Sequence, residues 1–163
     1  MSKLFFRYGA MNSGKSTAML QVAHNYEERD QRVVLVKSSV DTKGNDQIVS
    51  RLGVTRTADV LLSPGKDLRA ALRECDTESG RGIACVLIDE AQFLTAMQVW
   101  QCARLADEAD IPVLCYGLRT DFRGDLFPGS AVLLGIADSL EELKAVCHCG
   151  RKATMNLRTT ETG

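Results

Sequence analysis

The residues whose types and spacing are most suggestive of chemistry lie close to the N-terminus, where residues 9–17 read GAMNSGKST. The pattern G-x-x-x-x-G-K-[ST] falls between a short apolar segment and a segment with helical periodicity. Glycines allow a ligand to approach the backbone closely, and successive N–H groups attract phosphate oxygens together with the positive end of the following helix. The pattern therefore predicts a phosphate-binding loop, in which Lys15 contacts the β- and γ-phosphates and the Ser16 hydroxyl binds Mg²⁺.

A second site is predicted where Asp89 and Glu90 follow an apolar run at residues 83–88. Proteins with a phosphate-binding loop place a magnesium-binding carboxylate at the end of such a strand. Neighbouring residues of a strand point in opposite directions, so Asp89 is the candidate for Mg²⁺ and Glu90 the candidate for a base that takes a proton from a substrate hydroxyl. Alone, the pair could equally be the acidic start of a helix, and the phosphate loop is what favours the site.

Residues 117–129, GLRTDFRGDLFPG, form a polar, glycine-rich segment after the apolar run 111–116. In an open α/β sheet this segment lies at the same edge as the phosphate loop, where ligands bind. Phe122 and Phe127 could form a slot for a base, and Arg119 and Arg123 could neutralise phosphate. The residues alone leave open, and slightly favour, the alternative that both phenylalanines anchor the segment to the core.

Six cysteines are present, and Cys147 and Cys149 form the compact sequence CHCG. Two thiolates supply half of a tetrahedral zinc site, although one intervening residue is tighter than the usual zinc-ribbon spacing. An exposed dithiol and an inert turn are the alternatives. The other cysteines fall in predicted strands or helices and are expected to be core residues; they are Cys75, Cys85, Cys102 and Cys115.

The composition is that of a globular protein, with 163 residues, 45% apolar residues, 25% charged residues and a net charge of −1. This balance suits one domain with a small appendage at most, and it indicates neither a nucleic acid polymer nor a membrane surface as partner. The N-terminal residues MSKLFFRYGA lack the apolar core and cleavage site of a signal peptide, and no apolar run is long enough to span a membrane. We therefore expect a cytoplasmic location with reduced cysteines.

Short apolar runs alternate with segments of helical periodicity, which predicts a parallel sheet with helices on both faces, that is, a three-layer α/β domain. Strands are predicted at residues 4–8, 32–37, 57–62, 83–88 and 111–116, helices at 16–29, 66–75 and 95–108, and a polar loop at 38–53. In the third helix, Ala96, Val99, Trp100 and Ala103 are predicted to face the core. The pattern changes after residue 138, where short β segments surround CHCG. We therefore predict one domain over residues 1–138 and a small module over 139–163.

Taken together, four motifs resemble the thymidine kinase family: GAMNSGKST, then DEAQF at residues 89–93, CYGLRTDFRGDLFPGS at 115–130 and CHCGRK at 147–152. They occur in the family's order over residues 3–158, and their combination is far more specific than any one of them. The resemblance is to the cytosolic, zinc-containing type, and the CxC spacing is similar to its proteobacterial branch. It implies a P-loop, RecA-like parallel sheet between helix layers, followed by the beginning of a small zinc-ribbon-like β module.

The resemblance implies transfer of the γ-phosphoryl group of ATP to the 5′-hydroxyl of thymidine or deoxyuridine, which gives dTMP from thymidine in nucleotide salvage. Glu90 matches the family's base and Asp89 its magnesium-associated acid. The positions that match ATP-binding residues are Gly9, Ala10, Met11, Asn12, Ser13, Gly14, Lys15, Ser16, Thr17, Asp89, Glu90, Ala91 and Gln92. Those that match the thymine pocket are Met11, Leu118, Phe122 and Phe127.

The resemblance also implies a homotetramer or homodimer, and a further nucleotide-contacting turn at residues 41–43, where Lys43 replaces the usual arginine and loses its fork geometry. Relatives of this type continue beyond the position of Gly163 with a lasso over thymidine and the remaining zinc ligands. We therefore expect zinc at Cys147 and Cys149 to lack its other ligands and kinase activity to be impaired. A non-catalytic nucleotide-binding module is the alternative, and an ATPase that moves a partner is a third hypothesis.

Overall fold

Nearly continuous apolar segments become the central strands, because a parallel sheet covered on both faces buries both sides of each strand. The computed structural model describes residues 1–11, 13–38, 46–50, 52–76, 82–146 and 152–153. The strands are β1 (Leu4–Tyr8), β2 (Arg32–Ser38), β3 (Gln47–Val49), β4 (Thr55–Thr57), β5 (Val60–Leu62), β6 (Ile83–Asp89), β7 (Val113–Gly117), β8 (Ser139–Glu142), β9 (Ala145–Val146) and β10 (Lys152–Ala153). The helices are α1 (Lys15–Glu28), α2 (Leu68–Asp76), α3 (Ala96–Glu108) and α4 (Pro128–Ile136), with a short 3-10 helix at Ala91–Phe93.

The main sheet has the strand order β5-β2-β6-β7-β1-β8, and every pairing in it is parallel. Alternate residues of the strands therefore face opposite sides, and each side has its own apolar cluster. One cluster packs the sheet against α2, α3 and α4, whereas the other packs it against α1 and Ile48. This arrangement confirms the predicted α/β class, with a parallel sheet between helix layers. Because all strands run the same way, their carboxyl ends meet at one edge.

The predicted loop at 38–53 is wrong in its second half, since β3 pairs with β4 as an antiparallel hairpin. Ile48 is fully buried against α1, and this single apolar residue in a polar context explains why no strand was predicted. The predicted strand at 57–62 likewise divides into β4, which belongs to the hairpin, and β5, which belongs to the main sheet. The hairpin is tied to α1 by the ion pair between Arg56 and Glu27 at 2.7 Å.

The inward face of α3 differs from the prediction. Trp100 is 51% exposed and Ala96 is also exposed, whereas Val99 is buried as predicted. The buried residues of this helix are Gln98, Val99, Gln101, Cys102, Leu105 and Ala106. Two of these residues are glutamines, which the apolar pattern does not identify as buried. Their amides bond to the backbone before and at the start of α2, so they can be buried without an unpaired polar group.

The end of the described chain divides between the main sheet and a small hairpin. β8 pairs with β1 in the main sheet, and β9 pairs with β10 in a separate antiparallel ladder. The boundary at residue 138 stays a prediction. Cys85, Cys102 and Cys115 are buried, which confirms them as core residues, and Cys75 is partly buried. Within the part of the chain that the structure describes, no helix has both the length and the apolar character needed to cross a bilayer.

Candidate functional site

The segment predicted to be the phosphate loop connects β1 to α1 at the carboxyl edge of the sheet. Gly14, the residue before α1, has φ +86°, a left-handed conformation that glycine adopts without a side-chain clash. Gly9 donates its N–H to the Gly117 carbonyl at 3.3 Å, which joins the start of the loop to the end of β7. A Cβ at Gly9 would lie 2.5 Å from the Leu143 carbonyl oxygen, so this position requires glycine for close approach.

Lys15 places its ammonium group within this loop. Its Nζ donates to the Ala10 carbonyl at 2.7 Å and to Ser13 Oγ at 3.3 Å. Burial lowers the pKa of Lys15, while the charges of Glu90 and then Asp89 act in the opposite direction. The cation predicted to bind phosphate and the two acids predicted to serve the reaction therefore lie within electrostatic reach of one another.

The two acids at the end of β6 occupy different environments. Asp89 is 6% exposed, and burial raises its pKa to about 6, with a further contribution from the Glu90 charge. Glu90 is only partly buried and has φ +55°, a left-handed conformation that costs a non-glycine residue about 1 kcal/mol or more. This turn takes the chain out of the strand, so the two neighbouring carboxylates differ in exposure although both line the same cavity.

A cavity of about 220 Å³ joins these parts. Its lining residues are Met11, Gly14, Lys15, Ser16, Val49, Asp89, Glu90, Gly117 and Leu118. A larger cavity, about 470 Å³, lies between α2 and α3 near Ile83, where β6 begins. That cavity is at the opposite end of the strand from Asp89, so the chemistry of the lining, and not the volume, identifies the candidate site.

Only two of the four predicted nucleoside-binding residues line the described cavity. Met11 and Leu118 line the cavity, but the described lining does not include Phe122 or Phe127. Phe127 packs edge-to-face on Phe93, with the ring centroids 5.7 Å apart, which is the anchoring contact considered as the alternative. Phe122 is 40% exposed, and the Arg123 guanidinium lies 5.3 Å from its ring centre. Their role in binding a base stays a prediction.

Two residues of this site were missed in the sequence. Lys37 ends the apolar run of β2 and is aligned with Asp89 on the neighbouring strand, where its charge partly offsets the raised pKa of that acid. Its Nζ also donates to the Gln47 carbonyl at 2.9 Å, which ties the β3–β4 hairpin to the sheet edge. A lysine directly after three buried apolar residues of a strand was a usable signal, whereas nothing in the local pattern marked Val49 as part of the cavity.

The residues present fit a phosphate ligand with a divalent cation. Among the described residues, the Thr17 hydroxyl is buried without a hydrogen-bond partner, and a phosphate oxygen is the kind of acceptor it lacks. Ser16 and Asp89 both line the cavity and offer the oxygen donors that Mg²⁺ prefers. No cluster of His, Cys, Asp or Glu that could hold a metal on its own occurs in the described ranges. The predicted positions Asn12, 41–43, Cys147 and Cys149 lie outside the described residues.

Replacing Asp89 with Asn is expected to stabilise the protein without nucleotide. The carboxyl of Asp89 titrates near 3.8 when unfolded but near 6 when folded, so the unfolded state binds fewer protons between these values and stability falls as pH rises. The ionised carboxylate therefore lowers the free energy of unfolding by about 3 kcal/mol above the folded pKa, and it has no such effect below the unfolded pKa. Thermal melts of Asp89→Asn should show a clear gain in Tm at about pH 7.5 and almost none at about pH 4.

The control for this measurement is Asp107→Asn, since Asp107 lies on the exposed side of α3. This substitution should change Tm little at either pH. An equal gain from Asp89→Asn at both pH values would contradict the assignment of the cost to an ionised, buried carboxylate.

The sequence is similar to those of known proteins. The sequence model of a family described as thymidine kinase matches residues 2–163. The thymidine kinase of Idiomarina loihiensis is 57% identical over 164 residues, which cover 100% of this chain and 83% of that protein. The thymidine kinases of Novosphingobium aromaticivorans and Ruegeria pomeroyi are 54% and 49% identical over 100% of this chain, covering 84% and 81% of their own lengths.

Proposed function

The chain belongs to the thymidine kinase family, and on that premise we propose that Glu90 is the base for transfer of the γ-phosphoryl group of ATP to the 5′-hydroxyl of thymidine. Membership makes the chain an ATP-using nucleoside kinase with thymidine as acceptor. The observation that supports these roles most directly is one cavity lined by Lys15, Asp89, Glu90 and Leu118. It joins a phosphate-binding cation, two acids and the start of the segment predicted to hold the nucleoside.

The reaction follows from the positions of these groups. Glu90 takes the proton of the 5′-hydroxyl as that oxygen bonds to the γ-phosphorus, and the bond to the β–γ bridging oxygen breaks to release ADP. Lys15 and the loop N–H groups hold the phosphates and stabilise the charge that develops on them. Because Asp89 is buried beside Lys15 and Lys37, it can remain an oriented carboxylate behind the phosphates.

Mg²⁺ is proposed to be held by the Ser16 hydroxyl and Asp89, where it would neutralise phosphate charge. The pKa of about 6 at Asp89 leaves the carboxylate mostly ionised at neutral pH, and therefore able to bind a cation. We further propose a structural Zn²⁺ at Cys147 and Cys149, supported by the thiolate pair in CHCG. From the resemblance in sequence we also propose deoxyuridine as a second acceptor. The same resemblance supports assembly as a homotetramer or homodimer and a cytoplasmic location.

The function is tested by measuring ADP and dTMP with ATP and Mg²⁺, with and without thymidine. We expect equal amounts of both products, and almost no ADP when thymidine is omitted. ADP formation without nucleoside would instead favour an ATPase. Nucleotide binding with neither product would favour a non-catalytic binding module. A parallel reaction with deoxyuridine tests the second acceptor.

A further inference from the structure

The side chain of Gln92 lies behind the proposed base, within the short 3-10 helix that follows β6. It is 1% exposed, so both ends of its amide must be paired inside the protein. Nε2 donates to Glu90 Oε2 at 2.6 Å, and Oε1 accepts from the Leu118 N–H at 3.2 Å. The orientation of the amide follows from its partners, since only the NH₂ group can face a carboxylate and only the carbonyl oxygen can face an N–H.

The backbone that Gln92 contacts is held from its other side as well. The Leu118 carbonyl accepts a hydrogen bond from Ser130 Oγ, and Ser130 is fully buried at the start of α4. A Cβ at Gly117 would lie 2.5 Å from Gln92 Oε1, so the glycine that ends β7 makes room for this amide. Leu118 itself lines the cavity together with Glu90. The amide thus connects Glu90 on one wall of the site with Leu118 on the other, and Leu118 lies 26 positions after Gln92 in the sequence.

We propose that Gln92 is a positioning residue that fixes the Glu90 carboxylate relative to Leu118, so that the base and the acceptor-side wall are aligned with each other. This proposal rests on the proposed function, since it requires Glu90 to be the base. A fixed base matters because a displacement of about 1 Å at a reacting group costs on the order of 10²-fold in rate. The left-handed backbone at Glu90 increases the need for such support, because the conformation is retained only where its surroundings enforce it.

Gln92→Met tests the loss of both hydrogen bonds, since methionine has a similar length and no amide. We expect kcat to fall by about 10- to 100-fold and KM for thymidine to rise, because the base and Leu118 are no longer aligned. Gln92 matches an ATP-binding position of the family, but its buried amide bonds to Glu90 and Leu118, so KM for ATP should change much less than KM for thymidine. A purely structural role would lower Tm without separating the two substrates in this way.

Gln92→Glu tests the two hydrogen bonds separately, because it can keep the one to Leu118 and changes the one to Glu90. Its carboxylate can still accept from the Leu118 N–H, but it meets Glu90 as a second acid at hydrogen-bond distance, where two carboxylates share one proton. While that proton is present the pair resembles the native one, so kcat should approach the wild-type value at low pH. As pH rises and the shared proton leaves, repulsion displaces Glu90, and kcat should fall to the level of Gln92→Met. The wild-type enzyme should lack this descending limb.

Gln101→Met is a closely matched control. Gln101 is 8% exposed, donates Nε2 to Asp67 Oδ2 at 3.0 Å and accepts from the Leu68 N–H at 2.9 Å, so it makes the same pair of bonds far from the cavity. This variant should lower Tm but keep the wild-type kcat, thymidine KM and pH profile.

Glu90→Gln, measured in parallel, distinguishes a failure of Glu90 as the base from a failure of Gln92 as the positioning residue. Wild-type activity in Glu90→Gln would overturn the proposed base and therefore the role of Gln92. If Glu90→Gln is inactive but both Gln92 variants keep the wild-type kcat, thymidine KM and pH profile, the base stands and the positioning role is overturned. A loss in Gln92→Met that Gln101→Met reproduces would overturn it equally.

Discussion

Glu90→Gln is expected to lower kcat for thymidine phosphorylation by about 10²- to 10⁴-fold, the range that removal of a general base produces. Glutamine preserves the length and shape of the side chain but cannot accept the proton of the 5′-hydroxyl. Its carbonyl oxygen can still accept from Gln92 Nε2, so this substitution removes the base while leaving that hydrogen bond possible. The phosphate loop is untouched, and ATP should therefore still raise the Tm of this variant.

Steady-state assays with saturating ATP and thymidine give kcat, and thermal melts with and without ATP report nucleotide binding. Glu28→Gln is the control, because Glu28 lies on the exposed side of α1, where it pairs with His24. It should retain wild-type values in both measurements. A Glu90→Gln enzyme with near-normal kcat would rule out Glu90 as the base and leave phosphoryl transfer without its proposed proton acceptor.

Lys15→Met is expected to weaken ATP binding by about 10- to 100-fold and to lower kcat by about 10²- to 10³-fold. The ammonium group lies partly buried in the loop, where it compensates the charges of Glu90 and Asp89. Methionine fills the same space without the charge, so the phosphates lose hydrogen bonds from a cation and also meet two uncompensated acids. Hydrogen bonds to charged groups contribute about 1.5–3 kcal/mol each, and loss of one donor at a transferring group costs about 10²- to 10³-fold in kcat.

Isothermal titration with ATP and the ATP-dependent change in Tm measure this effect. Lys66→Met is the matched control, since Lys66 is an exposed lysine that pairs with Glu74 at 3.9 Å. The two site variants should differ: Glu90→Gln keeps the ATP-dependent rise in Tm, whereas Lys15→Met shows a smaller rise. Retention of normal ATP affinity in Lys15→Met would show that the loop does not bind phosphate through this lysine.

Much of the edge that forms the site could be predicted, because each part lies next to a strong local pattern. β1 has the predicted bounds, and β6 extends the predicted strand only by Asp89. Once the sheet is parallel, the ends of these strands must meet at one edge, and so must the segments that follow them. The roles assigned to the residues at this edge remain for the substitutions above to test.

Other features followed only from packing between distant segments. The helical spacing of apolar residues predicts that Trp100 faces the core. Gln98 and Gln101 occupy the buried face instead, since their amides are satisfied by backbone near α2. Hydrophobic periodicity cannot register a polar residue that is buried with its partners. Val49 lines the cavity because it lies on the β3–β4 hairpin. The local sequence indicates this hairpin only weakly, through the single buried residue Ile48.

The sequence by itself therefore determined the α/β class, and it predicted the phosphate loop at Gly9 to Thr17 and the acid pair at Asp89 and Glu90, because each depends on residues close together in the chain. Tertiary structure alone decided which residues complete the cavity and how the base is held. Gln92 reaches Leu118 across 26 positions, and that contact exists only because β6 and β7 pair side by side. Long-range contacts of this kind leave no period in the sequence, and the orientation of the proposed base depends on one of them.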